Sequence, residues 1–298
     1  MTGTFDFVPL IIIGAGRSGT NILRDSLCKV DGLVTWDCDE INPLWRHGNI
    51  NWPNDEIPPE RANAGIKEKI RSGFQKIAAN KPDTRFVVEK TCANSLRVDY
   101  VHEILPEARY IQIVRDGVDV IASASKRWKG ELEVEALPYY LAKLRYTPWQ
   151  DIPHYAARFL KNRWMILSGQ QDRFEVWGPR YRDMQQDGNL PLIEICAKQW
   201  AACVDRSDTA FTAMDESRYL RIHYEQLATS PAAVFRKIFT FLNTPVTDTM
   251  MEHIISDVRV FSIGKGHRVL QGADEVIGPH INSALLRHGY SPLQNTGK

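Results

Sequence analysis

The chain has no apolar run near the roughly 20 residues that a membrane-spanning helix requires; the longest is the short stretch Val8–Ile13. A charged segment followed by an apolar core is also missing at the start, so no secretory leader is expected. Cysteine is scarce. Its five positions, Cys28, Cys38, Cys92, Cys196 and Cys203, are odd in number and form no C-x-x-C pair. That argues against a disulfide framework and against a zinc site, and it predicts a reduced, cytoplasmic protein without a metal. Charge of one sign is not in excess either. Lys and Arg total 37 against 36 Asp and Glu, a net charge of +1. A nucleic-acid partner is therefore not expected, although local basic clusters can still hold a small polyanion. No internal repeat or low-complexity tract is present.

What is there is ordinary globular material, 43% apolar and 24% charged over 298 residues. It is enough for one large domain spanning 1–298. Four short runs rich in β-branched and aromatic residues read as buried parallel strands: Val8–Ile13, Arg85–Glu89, Arg109–Val114 and Arg218–His223. Gly32–Trp36 is a weaker fifth. Ile66, Ile70, Phe74 and Ile77 repeat at helical spacing, and Leu96, Val101, Ile104 and Leu105 do so more loosely before Pro106. Strands alternating with helices predict an α/β fold with a parallel sheet covered on both faces. Asn42–Pro59, rich in Asn, Pro and Trp, reads as a long surface loop. A stretch from about 132 to 214, punctuated by five prolines, reads as a helical insertion.

Gly14-Ala15-Gly16-Arg17-Ser18-Gly19 follows the first strand and precedes an amphipathic segment. Its backbone N–H groups sit at a helix N-terminus, where an anion binds. The spacing matches the dinucleotide fingerprint G-x-G-x-x-G, and Asp37, Asp39 and Glu40 stand where a ribose-binding acid is required. Yet the turn holds a cation and two hydroxyls, Arg17, Ser18 and Thr20, instead of small apolar residues. A nucleotide triphosphatase loop fits less well, because the Lys of G-x-x-x-x-G-K-[ST] is missing.

A second constellation separates these readings. Arg115 lies at the carboxyl tip of a strand, and Ser123 follows eight residues later, about two helical turns on. In open α/β sheets ligands sit at the carboxyl ends of strands. Arg17, Lys90, Arg115 and Tyr224 all fall on that edge, and three cations around one crevice suit a ligand with two separated phosphate-like groups.

In these motifs the chain resembles the sulfotransferases that use 3′-phosphoadenosine 5′-phosphosulfate (PAPS). Gly16-Arg17-Ser18-Gly19-Thr20 is similar to their 5′-phosphosulfate loop, in the Arg form of the protein-tyrosine enzymes. Arg115 and Ser123 resemble the 3′-phosphate pair. Arg221-Ile222-His223-Tyr224-Glu225-Gln226-Leu227 is similar to R-Y-E-D-L, departing at His223 and Gln226. Gly264-Lys265-Gly266-His267-Arg268 resembles the late basic loop, with a looser match.

The resemblance implies a three-layer, P-loop NTPase-like fold and transfer of a sulfuryl group from PAPS, released as PAP. The acceptor it implies is a hydroxyl or amine of a glycan, glycolipid or small molecule. Arg17 and the N–H groups of Ser18, Gly19, Thr20 and Asn21 are then expected to hold the 5′-phosphate and sulfate. Arg115, Ser123, Tyr224, Lys265 and Arg268 are expected on the nucleotide. Lys90 would stabilise charge on the bridging oxygen. The base corresponds to Glu40, with Asp39 and His47 as rivals. Two other readings stay open at this point: a dinucleotide-binding oxidoreductase, and a nucleotide-binding protein without catalysis.

Overall fold

The computed structural model describes residues 4–129, 144–157, 164, 177–259 and 263–294. Five parallel strands form one sheet, β1 (Val8–Ile13), β2 (Leu33–Val34), β3 (Phe86–Lys90), β4 (Arg109–Val114) and β5 (Tyr219–His223), in the order β2-β3-β1-β4-β5. The expected α/β sheet is therefore present. Three strands differ in extent from the sequence reading. β3 and β5 begin one residue later, and the weak fifth run contracts to two residues. Lys90 consequently closes β3 in register with Ile12, and its side chain is buried rather than following the strand into solvent.

Strand alternation divides the core. Leu10, Ile12, Phe86, Val88, Ile111 and Ile113 point to one face and pack on α1 (Thr20–Leu27) through Leu23 and Leu27. Ile11, Ile13, Val87 and Tyr110 point to the other, where α3 (Ala64–Ala79) brings Ile66, Ile70 and Phe74 and α4 (Val98–Ile104) brings Val98 and Val101. Asn63 starts that helix, its side chain accepting from the Ile66 N–H at 3.0 Å. A third apolar cluster joins Val114 to α5 (Gly117–Trp128), α6 (Leu192–Thr212) and a C-terminal helix, Asp274–Arg287. Much of the predicted insertion, 130–143, 158–163 and 165–176, lies outside the described residues. α6 falls inside that stretch and packs against α5 and the C-terminal helix. Among the described residues no helix is long and apolar enough to cross a membrane.

Asn42–Pro59 is more ordered than its composition suggests. It opens with a helical turn, α2 (Asn42–Trp45), and then folds around the buried carboxylate of Asp55. Arg46 reaches Asp55 at 2.8 Å, and Arg97 and Arg180 each lie at 3.6 Å. Arg46 also donates to the carbonyls of Asn49, Ile50, Trp52 and Asn54. Burial pushes the Asp55 carboxyl up, but the three guanidiniums and the Arg180 N–H outweigh it and hold it below the usual carboxylate value. Removing one partner of a buried ionic cluster leaves the others uncompensated. Asp55→Asn should therefore destabilise the protein by about 3–5 kcal/mol in denaturant melts; a loss indistinguishable from zero would show that Asp55 does not organise this loop.

Candidate functional site

The Gly-rich turn lies between β1 and α1 at the carboxyl edge of the sheet. Two contacts require glycine. A Cβ on Gly14 would come within 2.8 Å of the Ile113 carbonyl, and one on Gly19 within 2.4 Å of the Tyr224 ring. Gly19 also has φ +90°, where a side chain is strained. Arg17 takes φ +73° without being glycine, a strain that persists only where the surroundings impose it. The Ser18 N–H closes the turn onto the Ala15 carbonyl at 3.1 Å. Its hydroxyl oxygen is buried and has no hydrogen-bond partner among the described residues. The first N–H groups of α1 have no intrahelical acceptor. A cradle of this kind, with an orphaned buried hydroxyl inside it, fits an anionic group.

Cations gather around the turn. The Arg17 Nε donates to the Ser123 hydroxyl at 2.9 Å. Arg115 donates to the Arg17 carbonyl at 3.0 Å, pairs with Asp119 at 3.4 Å and lies 4.3 Å from the Tyr224 ring centre. Burial, then the charges of Arg127 and Arg115, hold the Arg17 guanidinium below its ordinary value. Mutual repulsion among three guanidiniums is relieved when an anion sits between them.

On the β3 side, Lys90 Nζ donates to Asp39 Oδ1 at 2.9 Å and to Glu40 Oε1 at 3.1 Å. The same Glu40 oxygen accepts from the Cys92 N–H at 3.3 Å. Burial opposes the charge on Lys90, but the carboxylates of Glu40 and Asp39 outweigh it and hold the ammonium above the usual lysine value. Glu89, directly before it, is buried among Thr91 and Asn94, and burial pushes its carboxyl up to about 7. The Thr20 hydroxyl meets the Cys92 sulfur at 3.8 Å, bringing the turn and this cluster side by side.

The late loop docks on the start of α5. Asp119 accepts from the N–H groups of Gly264 and Gly266 at 2.8 and 2.6 Å. A Cβ on Gly266 would meet the Val118 carbonyl at 2.4 Å, so only glycine fits that approach. Lys265 and Arg268 stand exposed on the helical turn Lys265–Val269 beside it.

The structure therefore brings Gly16, Arg17, Ser18, Gly19, Thr20, Arg115, Ser123 and Tyr224 to one edge, with Glu40, Asp39 and Lys90 adjoining. Asn21 is exposed at the second position of α1. Ser123 differs from expectation in meeting Arg17 directly, while Arg115 joins it through the Arg17 backbone. His47 turns elsewhere: its Nδ1 pairs with Asp151 at 2.7 Å. Asp116 caps α5 by accepting from the Val118 N–H at 2.8 Å. Sequence reasoning missed Asp119, and gave no role to Glu225, which accepts from the Asp116 N–H at 3.0 Å through one oxygen and from the Tyr290 hydroxyl at 2.6 Å through the other. Asp119 had a signal, since it lies four residues after Arg115 on one helix face. Trp177 covers Gly16 with nothing in the local sequence to announce it. Among the described residues no group of three or more His, Cys, Asp or Glu is placed to hold a metal ion.

The strand order speaks against the dinucleotide reading. In that fold β1 lies beside β2, whereas here β3 separates them, and Asp39 is committed to Lys90 and Arg24.

Comparison with known proteins gives the same direction. Residues 9–187 match the profile of a family described as "Sulfotransferase family". No curated protein matches the chain. Among solved structures, a sulfotransferase from Mycobacterium avium is similar over 98% of this chain and 79% of that one, at 12% identity and a TM-score of 0.58. A sulfotransferase domain from the curacin biosynthetic pathway aligns over 97% of this chain and 100% of its own, at 15% identity and TM-score 0.53. A sulfotransferase from Alicyclobacillus acidocaldarius covers 96% of this chain and 98% of its own, at 15% identity and TM-score 0.52. These likenesses show the fold, a P-loop-like parallel sheet flanked by helices.

The cradle is testable without knowing its ligand. Gly19→Ala is expected to displace Tyr224 and weaken the binding of inorganic sulfate or pyrophosphate at least about tenfold, the equivalent of one charge-assisted hydrogen bond. Calorimetric titration reading wild-type affinity in that variant would show that the turn does not bind anions.

Proposed function

The chain belongs to the sulfotransferase family, and from that premise we propose that it transfers the sulfuryl group of PAPS to a hydroxyl or amine of a glycan, glycolipid or small-molecule acceptor. The observation that supports this best is the continuity of the cationic edge. Arg17 contacts Ser123 through its side chain and Arg115 through its backbone, so two anion-binding regions meet at one residue. A donor with a 5′-phosphosulfate and a 3′-phosphate matches that arrangement, and a ligand with one phosphate does not need it. The free thiols of all five cysteines suit a reducing, cytoplasmic setting.

In this reading the Ser18 hydroxyl, the N–H groups of Gly19, Thr20 and Asn21, and the Arg17 guanidinium hold the 5′-phosphate and sulfate. Gly16 lets the chain approach closely. Arg115 and Ser123 hold the 3′-phosphate, with Lys265 and Arg268 adding positive charge from the docked late loop. Tyr224 supports Arg115 from below. Sulfuryl transfer breaks the bond between sulfur and the bridging phosphate oxygen and forms one to the acceptor atom, roughly in line. Positioning and charge stabilisation dominate such a step. Lys90 neutralises the charge that develops on the bridging oxygen. Glu40 accepts the acceptor's proton; its contacts with Lys90 and the Cys92 N–H favour the ionised form that a base requires.

Glu40→Gln is expected to lower sulfuryl transfer from PAPS by about 10²–10⁴-fold, the range for a lost general base, while PAP affinity stays near wild type. A near-normal rate would remove Glu40 from the mechanism. Titration of the wild type with PAP and with NAD tests the wider assignment, since binding of NAD and not PAP would restore the oxidoreductase reading. PAP binding without transfer to any acceptor in a panel would support a non-catalytic protein instead.

A further inference from the structure

A further cation, Arg24, borders the cluster. Arg24 lies on α1 one turn beyond Thr20, with its side chain 12% exposed. Its Nη1 donates to the Asp39 carbonyl at 3.0 Å and to Asp39 Oδ1 at 3.2 Å. That oxygen is also the acceptor of Lys90 at 2.9 Å. Arg24, Asp39, Lys90 and Glu40 thus form a chain in which two cations face two carboxylates, running from the helix of the anion cradle to the proposed base.

We propose that Arg24 is a positioning residue that keeps Asp39 and Glu40 both ionised around Lys90. Without it, two neighbouring carboxylates would share one ammonium in a site mostly withdrawn from solvent. Two carboxylates on one ammonium nitrogen cannot both stay ionised easily, so one would retain its proton to higher pH. Asp39 relieved of Arg24 would also draw Lys90 towards itself and away from Glu40.

The other groups around the pair do not substitute for Arg24. From β3 and the turn after it come Lys90, the Cys92 thiol and Glu89. Burial raises the Cys92 thiol so that it stays neutral, and it pushes the Glu89 carboxyl up to about 7. Cys38 stands in the same turn as the two acids. Arg17 feels the charge of Asp39 but faces the cradle. Asp25, also on α1, pairs with Arg24 itself at 2.6 Å and is largely exposed.

The catalytic consequence rests on the sulfuryl-transfer reading; the electrostatic one does not, and the experiment separates them. The side-chain carboxyls of Asp39 and Glu40 are followed by carbon-13 NMR against pH in the full chain, with Asp39→Asn and Glu40→Gln for assignment. In Arg24→Gln the Glu40 carboxyl is expected to titrate about one unit or more higher than in wild type, because Lys90 is drawn to Asp39. Removing a positive neighbour raises a carboxyl's pKa, and the base works only when deprotonated. The acid limb of the kcat profile with PAPS should therefore move to higher pH by the same amount, while PAP affinity barely changes. Arg24→Lys should restore most of both shifts. The double variant Arg24→Gln, Asp39→Asn should bring the Glu40 titration back, because one carboxylate then faces one ammonium. Superimposable titration curves for wild type and Arg24→Gln, or a pH-independent loss that Arg24→Lys does not rescue, would overturn the proposal. A wild type that neither binds PAP nor transfers sulfate would sink the functional reading alone, since the NMR titration still decides the role of Arg24.

Discussion

The seating of Arg115 is the interaction on which the rest of the site depends. Its guanidinium lies over the Tyr224 ring, pairs with Asp119 and donates to the Arg17 carbonyl. Each contact comes from a different part of the fold: the residue after β5, the first turn of α5, and the turn after β1. Tyr224 in turn fills the space that a side chain at Gly19 would need. Asp119, held against Arg115, fixes the late loop through two backbone N–H groups. One buried cation therefore sets the relative position of four segments far apart in sequence, and it does so at the sheet edge where open α/β folds bind ligands.

Charge is distributed unevenly around that edge. On the β3 side, cations and carboxylates are matched, and Lys90 sits between two acids. Around the turn, Arg17 lies within the field of Arg115 and Arg127, and burial and repulsion hold its guanidinium below the ordinary value. A protein tolerates such repulsion where binding of an anion relieves it. The first region is suited to moving a proton and the second to holding a polyanion. Asp55 shows a third use of charge, distant from either role, in which a carboxylate with three guanidiniums gives shape to a loop poor in apolar residues.

Much of this was legible in the sequence because the elements involved are local. β1, the glycine turn and α1 announce themselves through β-branched residues, glycine spacing and an amphipathic face. Arg115 and Ser123 stand out through a spacing fixed by helix geometry. The ends of β3 and β5 were displaced by one residue, since strand limits depend on what pairs alongside. The order inside Asn42–Pro59 was hidden because Asp55 is bound by arginines at 46, 97 and 180, which no periodicity connects. The contact between Trp177 and Gly16 has the same cause. The seating of Arg115 combines both kinds: Asp119 is a helix neighbour, whereas Tyr224 meets it only through the pairing of β4 with β5.

In the proposed reading Arg115 shapes the whole anion site besides holding one phosphate of the donor. Calorimetric titration of PAP and of adenosine 5′-phosphate into wild type and Arg115→Gln tests it most directly. Because the Arg17 carbonyl loses its donor, the variant should bind both nucleotides more weakly, PAP by at least about tenfold, as for a lost charge-assisted hydrogen bond. Adenosine 5′-phosphate carries no 3′-phosphate, so unchanged affinity for it in Arg115→Gln would contradict the account.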